Sequence, residues 1–514
     1  MNGKPQIQRV HIELQRVQSW LFTVPRLRSM VGANALLGEI LRIALPDLAR
    51  KFERPWKLAA STVSYPPADQ NDPLRFHDDP SEDAQAGILA RDGGHFEAQF
   101  ISGVSEFADA AGSVLRDCLP GLRYRISIDG IPVTKSQVQL STELPVFAPC
   151  EWTGRSLASA TVRQGDEQFE VSQEVARRHE AAKRTEDGSA TDLASLLSAK
   201  TRLKSLQRAQ DLKMLVDPGY LALIHADGNG VGDSAGEDEL ERASFFHRNR
   251  VLLRRALHST INEHCPEEGL APLIPLMLGG DDLLLVCRAE IALPFVVTLC
   301  QKLASLQSQD TERFLLTLGL GVIVAKPSIP IHRLHDVAEQ LAGSAKRRYR
   351  GGLMANGEKS CSVVDWAVYS TAWVDDPVVV RRRHWLRGDS DDRRILSQRP
   401  IDVLTRGPND HTELDTLEGL IKAAGRLTKA PRSQLRYLID QLPYGRALSE
   451  LAYNELSAEA AVALEEIGVT SAFRRSIPSG PWRTELLDLV EIVEIARSGR
   501  STKRVDLEKE TAHD

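Results

Sequence analysis

The sequence predicts an α+β fold in which two ferredoxin-like units precede a C-terminal helical domain. The order strand, helix, strand, strand, helix, strand occurs twice, and in each copy a Gly-Gly turn joins the two middle strands. From about residue 376 onward, the apolar residues recur at helical spacing instead. These observations predict four regions: a first unit over residues 1–150, a helical linker over 151–215, a second unit over 216–375 and a helical domain over 376–514.

The first unit has the strand and turn patterns of this fold but no acidic pair at its hairpin tip, which reads Gly93-Gly94-His95-Phe96. We therefore expect this unit to be degenerate and to hold no catalytic metal. Its expected elements are a strand at about 7–14, a helix at 33–51, two strands within 87–100, a helix at 104–117 and a strand at 124–128.

The region between the two units, residues 160–210, is charged and rich in alanine, which favours linking helices. The second unit then repeats the order of the first. Its expected elements are a strand at 220–225, a helix at 239–263, a hairpin at 273–287, a helix at 291–307, a strand at 314–324 and a further helix at 331–348.

The hairpin of the second unit carries two adjacent carboxylates at its tip. Residues 276–287 read LMLGGDDLLLVC, so Gly279-Gly280-Asp281-Asp282 lies between two apolar runs. The glycines permit a tight turn and the close approach of a large ligand. Paired carboxylates next to buried strands are costly unless a cation neutralises them, and hard oxygen ligands suit Mg²⁺ or Mn²⁺. An ordinary acidic turn is the alternative that this stretch alone leaves open.

A second acidic stretch begins the same unit. Residues 220–233 read YLALIHADGNGVGD, in which a buried-strand pattern leads into Asp227 and a glycine-rich turn. A strand that ends in Asp before such a turn and a helix is typical of phosphate and metal binding. Asp227 would supply a third carboxylate, and the backbone N–H groups of Gly228 to Gly232 would face a triphosphate. The alternative is an Asx turn that closes the strand.

Composition indicates a globular protein of 514 residues, with 42% apolar and 26% charged residues and a net charge of −6. The six cysteines form no CxxC pair, which favours a reducing cytoplasm and argues against a zinc ribbon. The N-terminal sequence has no signal-peptide pattern, and no apolar run of membrane-spanning length is evident, so we expect a cytoplasmic protein without a membrane partner. Basic runs at 346–348 and 381–383 could still bind nucleic acid.

Three motifs together resemble a known family: ADGNGVG at 226–232, GGDD at 279–282 and LAGSAKR at 341–347. They are similar to the palm-domain large subunit of type III CRISPR effector complexes, or to a compact stand-alone relative of it. The run from Gln18 to Phe22 is similar to the start of that family's first palm. In the family the first palm is degenerate and the second carries GGDD, which is the asymmetry seen here. The His-Asp doublet of the family's N-terminal nuclease domain is not found at the start of this sequence, and of the family's four zinc-binding cysteines only Cys150 is matched.

The resemblance implies two palm domains of the nucleotide cyclase/polymerase type and two-metal nucleotidyl transfer that converts ATP into cyclic oligoadenylates. It implies two Mg²⁺ or Mn²⁺ ions, with Asp227 and Asp281 bridging them and Asp282 as a further ligand or orienting group. Lys346 would neutralise the β and γ phosphates. Expected partners are the NTP, guide RNA and other CRISPR effector subunits. The expected nucleotide-binding residues are Gly228, Asn229, Gly230, Gly279, Gly280 and Lys346.

Two alternatives remain open. The second palm could make another cyclic or linear nucleotide product, although Leu283 after the second Asp disfavours cyclic-di-GMP synthesis. The chain could instead be a non-catalytic scaffold that binds RNA or protein and only senses nucleotide. The three carboxylates, Asp227, Asp281 and Asp282, favour an enzyme, because a scaffold has no need of them.

Overall fold

The computed structural model describes residues 7–52, 70–78, 87–133, 148–154, 156–216, 219–235, 239–308, 314–356, 361–369, 376–388, 392–405, 413–475 and 480–498. The chain divides into two compact units, here called unit 1 and unit 2, whose boundaries differ from those of the two ferredoxin-like repeats. Unit 1 comprises Met1–Asp211, Gly230–Ala271 and Pro275–Leu284. Unit 2 comprises Leu212–Asn229, Pro272–Ile274 and Leu285–Asp514.

The first sheet lies in unit 1 and has the strand order β2-β3-β1-β4-β5, with β1 antiparallel to both β3 and β4. Alternation along β1 places Val10, Ile12 and Leu14 in the core, as expected for a sheet with one buried face. A short π-helical stretch, Ile40–Ala44, joins α2 to α3. The elements are β1 (Gln8–Gln15), α1 (Val17–Leu21), α2 (Leu27–Glu39), α3 (Leu45–Ala49), β2 (Ile88–Ala90), β3 (His95–Phe100), α4 (Val104–Cys118), β4 (Arg123–Ile128) and β5 (Ile131–Pro132).

The region after the first sheet begins with a hairpin, so the expectation of helices is wrong for residues 160–171. This stretch alternates, with Val162 and Val171 buried and the polar residues of both strands exposed, and Gly165 at φ +62° forms the turn. A two-residue period outweighs a charged composition because it lets one face pack on the core. The elements are β6 (Ala160–Gln164), β7 (Glu167–Val171), α5 (Gln173–Asp187) and α6 (Leu193–Ser198).

The second sheet has the order β15-β12-β11-β8-β10-β9, with β11 antiparallel to β8 and parallel to β12. Its run β11-β8-β10-β9 repeats the order β4-β1-β3-β2 of the first sheet, so the predicted ferredoxin-like repeat is confirmed. The elements are α7 (Leu212–Val216), β8 (Leu221–Gly228), α8 (Val231–Ser234), α9 (Glu239–His264), β9 (Leu273–Gly279), β10 (Asp282–Arg288), α10 (Ala289–Gln307), β11 (Leu318–Ala325), α11 (Ile331–Asn356), β12 (Val363–Tyr369), α12 (Pro377–Trp385), β13 (Leu386–Arg387), β14 (Arg394–Ile395) and β15 (Ile401–Asp402).

Helix α10 is long and apolar enough to cross a membrane by length and composition, which the sequence analysis did not anticipate. However, 56% of that stretch is buried inside the protein, as in the core helix of a globular fold. No other helix in the described part of the chain meets the same criteria.

The C-terminal region of unit 2 is mainly helical, as predicted. The helix Leu417–Leu427 shows the pattern clearly, because Leu417, Leu420, Ala424 and Leu427 recur at helical spacing and are all buried. A small sheet of order β13-β14-β16 accompanies the helices. The elements are α13 (Leu417–Leu427), α14 (Arg432–Gln441), α15 (Arg446–Asn454), α16 (Ala458–Glu465), β16 (Trp482–Arg483) and α17 (Leu486–Ser498).

Candidate functional site

The first predicted carboxylate lies where a buried strand reaches the surface. Strand β8 is buried up to Ala226, and the side chain of Asp227 is 37% exposed. Gly230 adopts φ +67°, and α8 begins directly after it. Strand, acidic residue, glycine turn and helix therefore follow one another as predicted.

Lys346 on α11 forms an ion pair with Asp227, through its Nζ and the carboxylate Oδ2. Two glycines on β11 make this possible. Gly319 lies directly opposite Asp227 on the neighbouring strand, and a Cβ there would lie 2.6 Å from Lys346 Cγ. A Cβ on Gly321 would lie 2.0 Å from the backbone oxygen of Ala338. The helix therefore packs on a strand surface without side chains, which brings Lys346 over the end of β8.

Asn229 is buried beside this pair, with 1% of its surface exposed. Its backbone N–H donates to the Thr317 carbonyl oxygen at 2.8 Å, and its Nδ2 donates to Thr317 Oγ1 at 3.1 Å. Its Oδ1 has no hydrogen-bond partner in the described structure. A buried acceptor without a donor is costly, so this oxygen is a candidate contact for a bound ligand.

The Gly-Gly turn that carries Asp281 and Asp282 is the tip of the hairpin formed by β9 and β10. This tip belongs to compact unit 1. Gly280 adopts φ +62°, the left-handed conformation that glycine tolerates without strain. Asp281 and Asp282 are both half-buried. Gln18 Nε2 on α1 donates to Asp282 Oδ2 at 3.1 Å. The predicted Gly-Gly turn with two acidic residues is therefore present.

The degenerate hairpin of the first sheet touches this acidic tip within unit 1. A Cβ on Gly279 would lie 3.5 Å from Gly93 Cα and 3.6 Å from Gly93 N, so the two backbones are in close contact. Asp92, next to Gly93, accepts hydrogen bonds from Arg42 at 2.9 Å and from Arg250 at 3.0 Å. Charge pairing therefore anchors the base of the degenerate tip.

Buried Asp78 extends this network by pairing with Arg254 and, at 3.7 Å, with Arg42. Burial by itself raises the pKa of Asp78, but the surrounding arginines, Arg250 foremost, outweigh burial and hold the pKa well below its ordinary value. The carboxylate is therefore charged at neutral pH and ties α9 to the segment before the first hairpin.

In the part of the chain that the structure describes, no group of three or more His, Cys, Asp or Glu side chains lies close enough together to hold a metal ion. The set Asp227, Asp281 and Asp282 therefore stays a prediction. Its chemistry suits Mg²⁺ or Mn²⁺, because all three side chains offer carboxylate oxygens. Two of them already contact a positive or donor group, Asp227 through Lys346 and Asp282 through Gln18.

Four contributing residues were not predicted from the sequence: Gln18, Thr317, Gly319 and Gly321. The glycines had a detectable signal, because two glycines spaced by one residue inside a buried strand indicate a close approach of another backbone. Gln18 was noticed only as part of a motif, since nothing local to α1 indicates its distant acceptor.

Comparison with a family model shows what the second ferredoxin-like repeat is similar to. The model of the Cas10/Cmr2 second palm domain matches residues 220–354. This segment begins with β8, contains both acidic stretches, and ends within α11 beyond Lys346. The resemblance predicted from the sequence is therefore confirmed for this segment: residues 220–354 match the second palm domain of the Cas10/Cmr2 type.

Several solved structures are similar to this chain at low identity. Csm1 of T. onnurineus is 12% identical, with 96% of this chain and 70% of that chain covered and a TM-score of 0.49. A Csm1-Csm4 cassette in complex with cA4 has the same identity and coverage and a TM-score of 0.48. A cassette in complex with one ATP is 12% identical, with 67% of this chain and 54% of that chain covered and a TM-score of 0.37. No curated protein matches the chain.

Proposed function

We propose that this protein is a metal-dependent nucleotidyltransferase that converts ATP into cyclic oligoadenylate-type messengers in a CRISPR type III-like antiviral defence. The observation that carries the proposal is the Asp227–Lys346 pair at the end of β8, inside the segment that matches the second palm domain. An exposed carboxylate beside a lysine, next to a glycine turn and a helix start, suits a bound triphosphate and its cation.

In this proposal Asp227, Asp281 and Asp282 would hold two Mg²⁺ or Mn²⁺ ions. Such ions supply Lewis-acid stabilisation of phosphoryl oxygens and lower the pKa of an attacking hydroxyl. Lys346, which pairs with Asp227 in this structure, would direct its charge toward the β and γ phosphates. The backbone N–H groups of Gly228 and Gly230 would orient the phosphate chain, whereas the backbone N–H of Asn229, also expected there, already donates to the Thr317 carbonyl oxygen.

The nucleotide and the partners belong to the same proposal. The related cassettes contain Csm1 and Csm4, and separate structures of them hold one ATP or cA4. For this chain we propose ATP as substrate, guide RNA and other CRISPR effector subunits as partners, and a cytoplasmic location. A second candidate is a nucleotide-sensing scaffold, which is favoured by the engagement of two of the carboxylates with Lys346 and Gln18.

The test is product formation by the purified chain. The protein is incubated with each NTP and Mg²⁺ or Mn²⁺, with and without RNA, and the products are resolved by mass. We expect oligoadenylates from ATP, and their loss in the Asp281→Ala/Asp282→Ala double variant at an unchanged melting temperature. Asp233→Ala is the matched control, because Asp233 is exposed on α8 and is not one of the three proposed ligands.

Two outcomes would count against the proposal. Turnover that survives the double substitution would show that the metal assignment is wrong. Nucleotide binding by the wild-type chain without any turnover, under all these conditions, would instead favour the scaffold.

A further inference from the structure

Helix α1 of the first palm donates a hydrogen bond to the acidic turn of the second palm. Gln18 and Asp282 are separated by 264 positions in the chain, and Gln18 Nε2 lies 3.1 Å from Asp282 Oδ2. Both residues belong to unit 1, so this contact lies inside one compact body. A hydrogen bond to a charged acceptor is about twice as strong as one between neutral groups.

A buried arginine holds the helix that carries Gln18. Arg178 on α5 is fully buried and donates to the carbonyl oxygens of Trp20 at 2.8 Å and Leu21 at 3.1 Å. Its guanidinium also lies 4.0 Å from the centroid of the Trp20 ring. Burial lowers the pKa of Arg178 to about 10, with Glu174 opposing the shift, so the group is still cationic at neutral pH.

The turn that carries Asp282, the partner of Gln18, is also held by packing against the first hairpin. Gly93 packs against Gly279, as described above, and Arg42 and Arg250 hold Asp92 next to it. Gly94 faces Val17 on α1, because a Cβ at Gly94 would lie 3.6 Å from Val17 Cγ2. Helix α1, the degenerate tip and the acidic tip therefore form one contiguous arrangement.

We infer that the first palm, which lacks an acidic pair of its own, positions the metal-binding carboxylate of the second palm through Gln18. The inference deepens the proposed function and rests on it. An amide is the appropriate donor, because it restricts rotation of the Asp282 carboxylate without cancelling the charge that attracts a cation. Gln18 is a positioning residue, since it acts through Asp282.

The test measures binding of Mn²⁺ alone, through the electron paramagnetic resonance signal of the free ion, with the full-length chain. Gln18→Leu removes the donor at similar size, and we expect the Mn²⁺ dissociation constant to rise roughly tenfold or more. Gln18→Lys keeps an N–H donor but adds a positive charge, so we expect it to weaken binding at least as much. A role confined to holding the fold would leave Gln18→Lys close to wild type.

Controls separate this effect from general damage. Gln15→Ala is matched in residue type, because Gln15 Nε2 bonds only with Glu13, on its own strand, among the contacts described. We expect wild-type Mn²⁺ affinity for this variant and similar melting temperatures for all of them. If Gln18→Leu lowers the melting temperature markedly, Gln18→Asn, which keeps the amide on a shorter side chain, is measured in its place.

The outcomes distinguish the inference from the proposed function. Mn²⁺ binding that is lost in Asp281→Ala/Asp282→Ala but unchanged in the Gln18 variants would overturn the inference and leave the proposed function standing. Mn²⁺ binding that is absent in the wild type, or unaffected by the double aspartate substitution, would overturn both.

Discussion

Substitution of Gly319 by alanine tests how the fold places Lys346. The added Cβ would lie 2.6 Å from Lys346 Cγ and 3.0 Å from Asn229 Oδ1. Carbon atoms in contact prefer about 3.5–4.0 Å, so the lysine stem must move by roughly 1 Å. The lysine side chain is flexible and half-buried, so we expect it to move away from Asp227 while α11 remains in place.

The expected magnitude follows from which atoms are displaced. Overpacking of a core costs about 1–3 kcal/mol of folding free energy. We expect Gly319→Ala to lie at the low end of this range, because the atom that must move belongs to the flexible side chain of Lys346. This corresponds to a melting temperature lowered by roughly 2–4 °C. Gly321→Ala is the matched control, since its Cβ would lie 2.0 Å from a backbone oxygen and 2.6 Å from a backbone nitrogen of α11. We expect it to be clearly more destabilising, because the helix itself must shift.

The assay combines thermal melting with product formation in a double-mutant cycle. We expect Gly319→Ala and Lys346→Ala each to lower turnover by roughly tenfold or more, the effect of removing one well-placed charge. Because both act on the same contact, the double variant should be little worse than either single one. Fully additive losses, or wild-type turnover in Gly319→Ala, would refute the reasoning.

Three further predictions concern stability and reactivity. Asp78→Asn should destabilise the protein by about 3–5 kcal/mol at pH 7. Because the folded pKa of Asp78 is depressed, the stability that this carboxylate contributes is fully present above about pH 4 and is lost as the pH falls toward the folded pKa. The melting temperatures of the variant and the wild type should therefore converge in acid. A difference in melting temperature that stays constant with pH would contradict this. Burial raises the pKa of Cys300 to about 12, so iodoacetamide should label partly exposed Cys118 well before Cys300 in native protein, as measured by peptide mass. Gly32→Ala should lower the melting temperature, because its Cβ would lie 1.8 Å from a carbonyl oxygen of α5, whereas Gly425→Ala, with nothing within 4 Å, should raise it slightly.

The periodicity of the hydrophobic residues predicted the secondary structure well wherever it clearly indicated either a strand or a helix. The strand before Asp227 and the apolar runs on each side of the Gly-Gly turn became β8, β9 and β10, and the order of the four strands that the two sheets have in common follows from the repeated element order. The error at residues 160–171 arose where charged composition was given more weight than a two-residue period. Element boundaries depended on packing. Helix α11, for example, continues beyond its predicted end at residue 348, through Gly351 and Gly352, to Asn356.

The sequence by itself determined the class of fold and the types of residue available for chemistry: two acidic turns, their flanking glycines and a lysine on a later helix. These features depend on local periodicity and residue identity, so they can be read without coordinates. Only the tertiary structure decided which side chains meet. Lys346 and Asp227 are 119 positions apart, and Gln18 and Asp282 are 264 apart. Such partners are chosen by packing, here the bare surface of Gly319 and Gly321 and the anchoring of α1 by Arg178, and no local pattern encodes that choice.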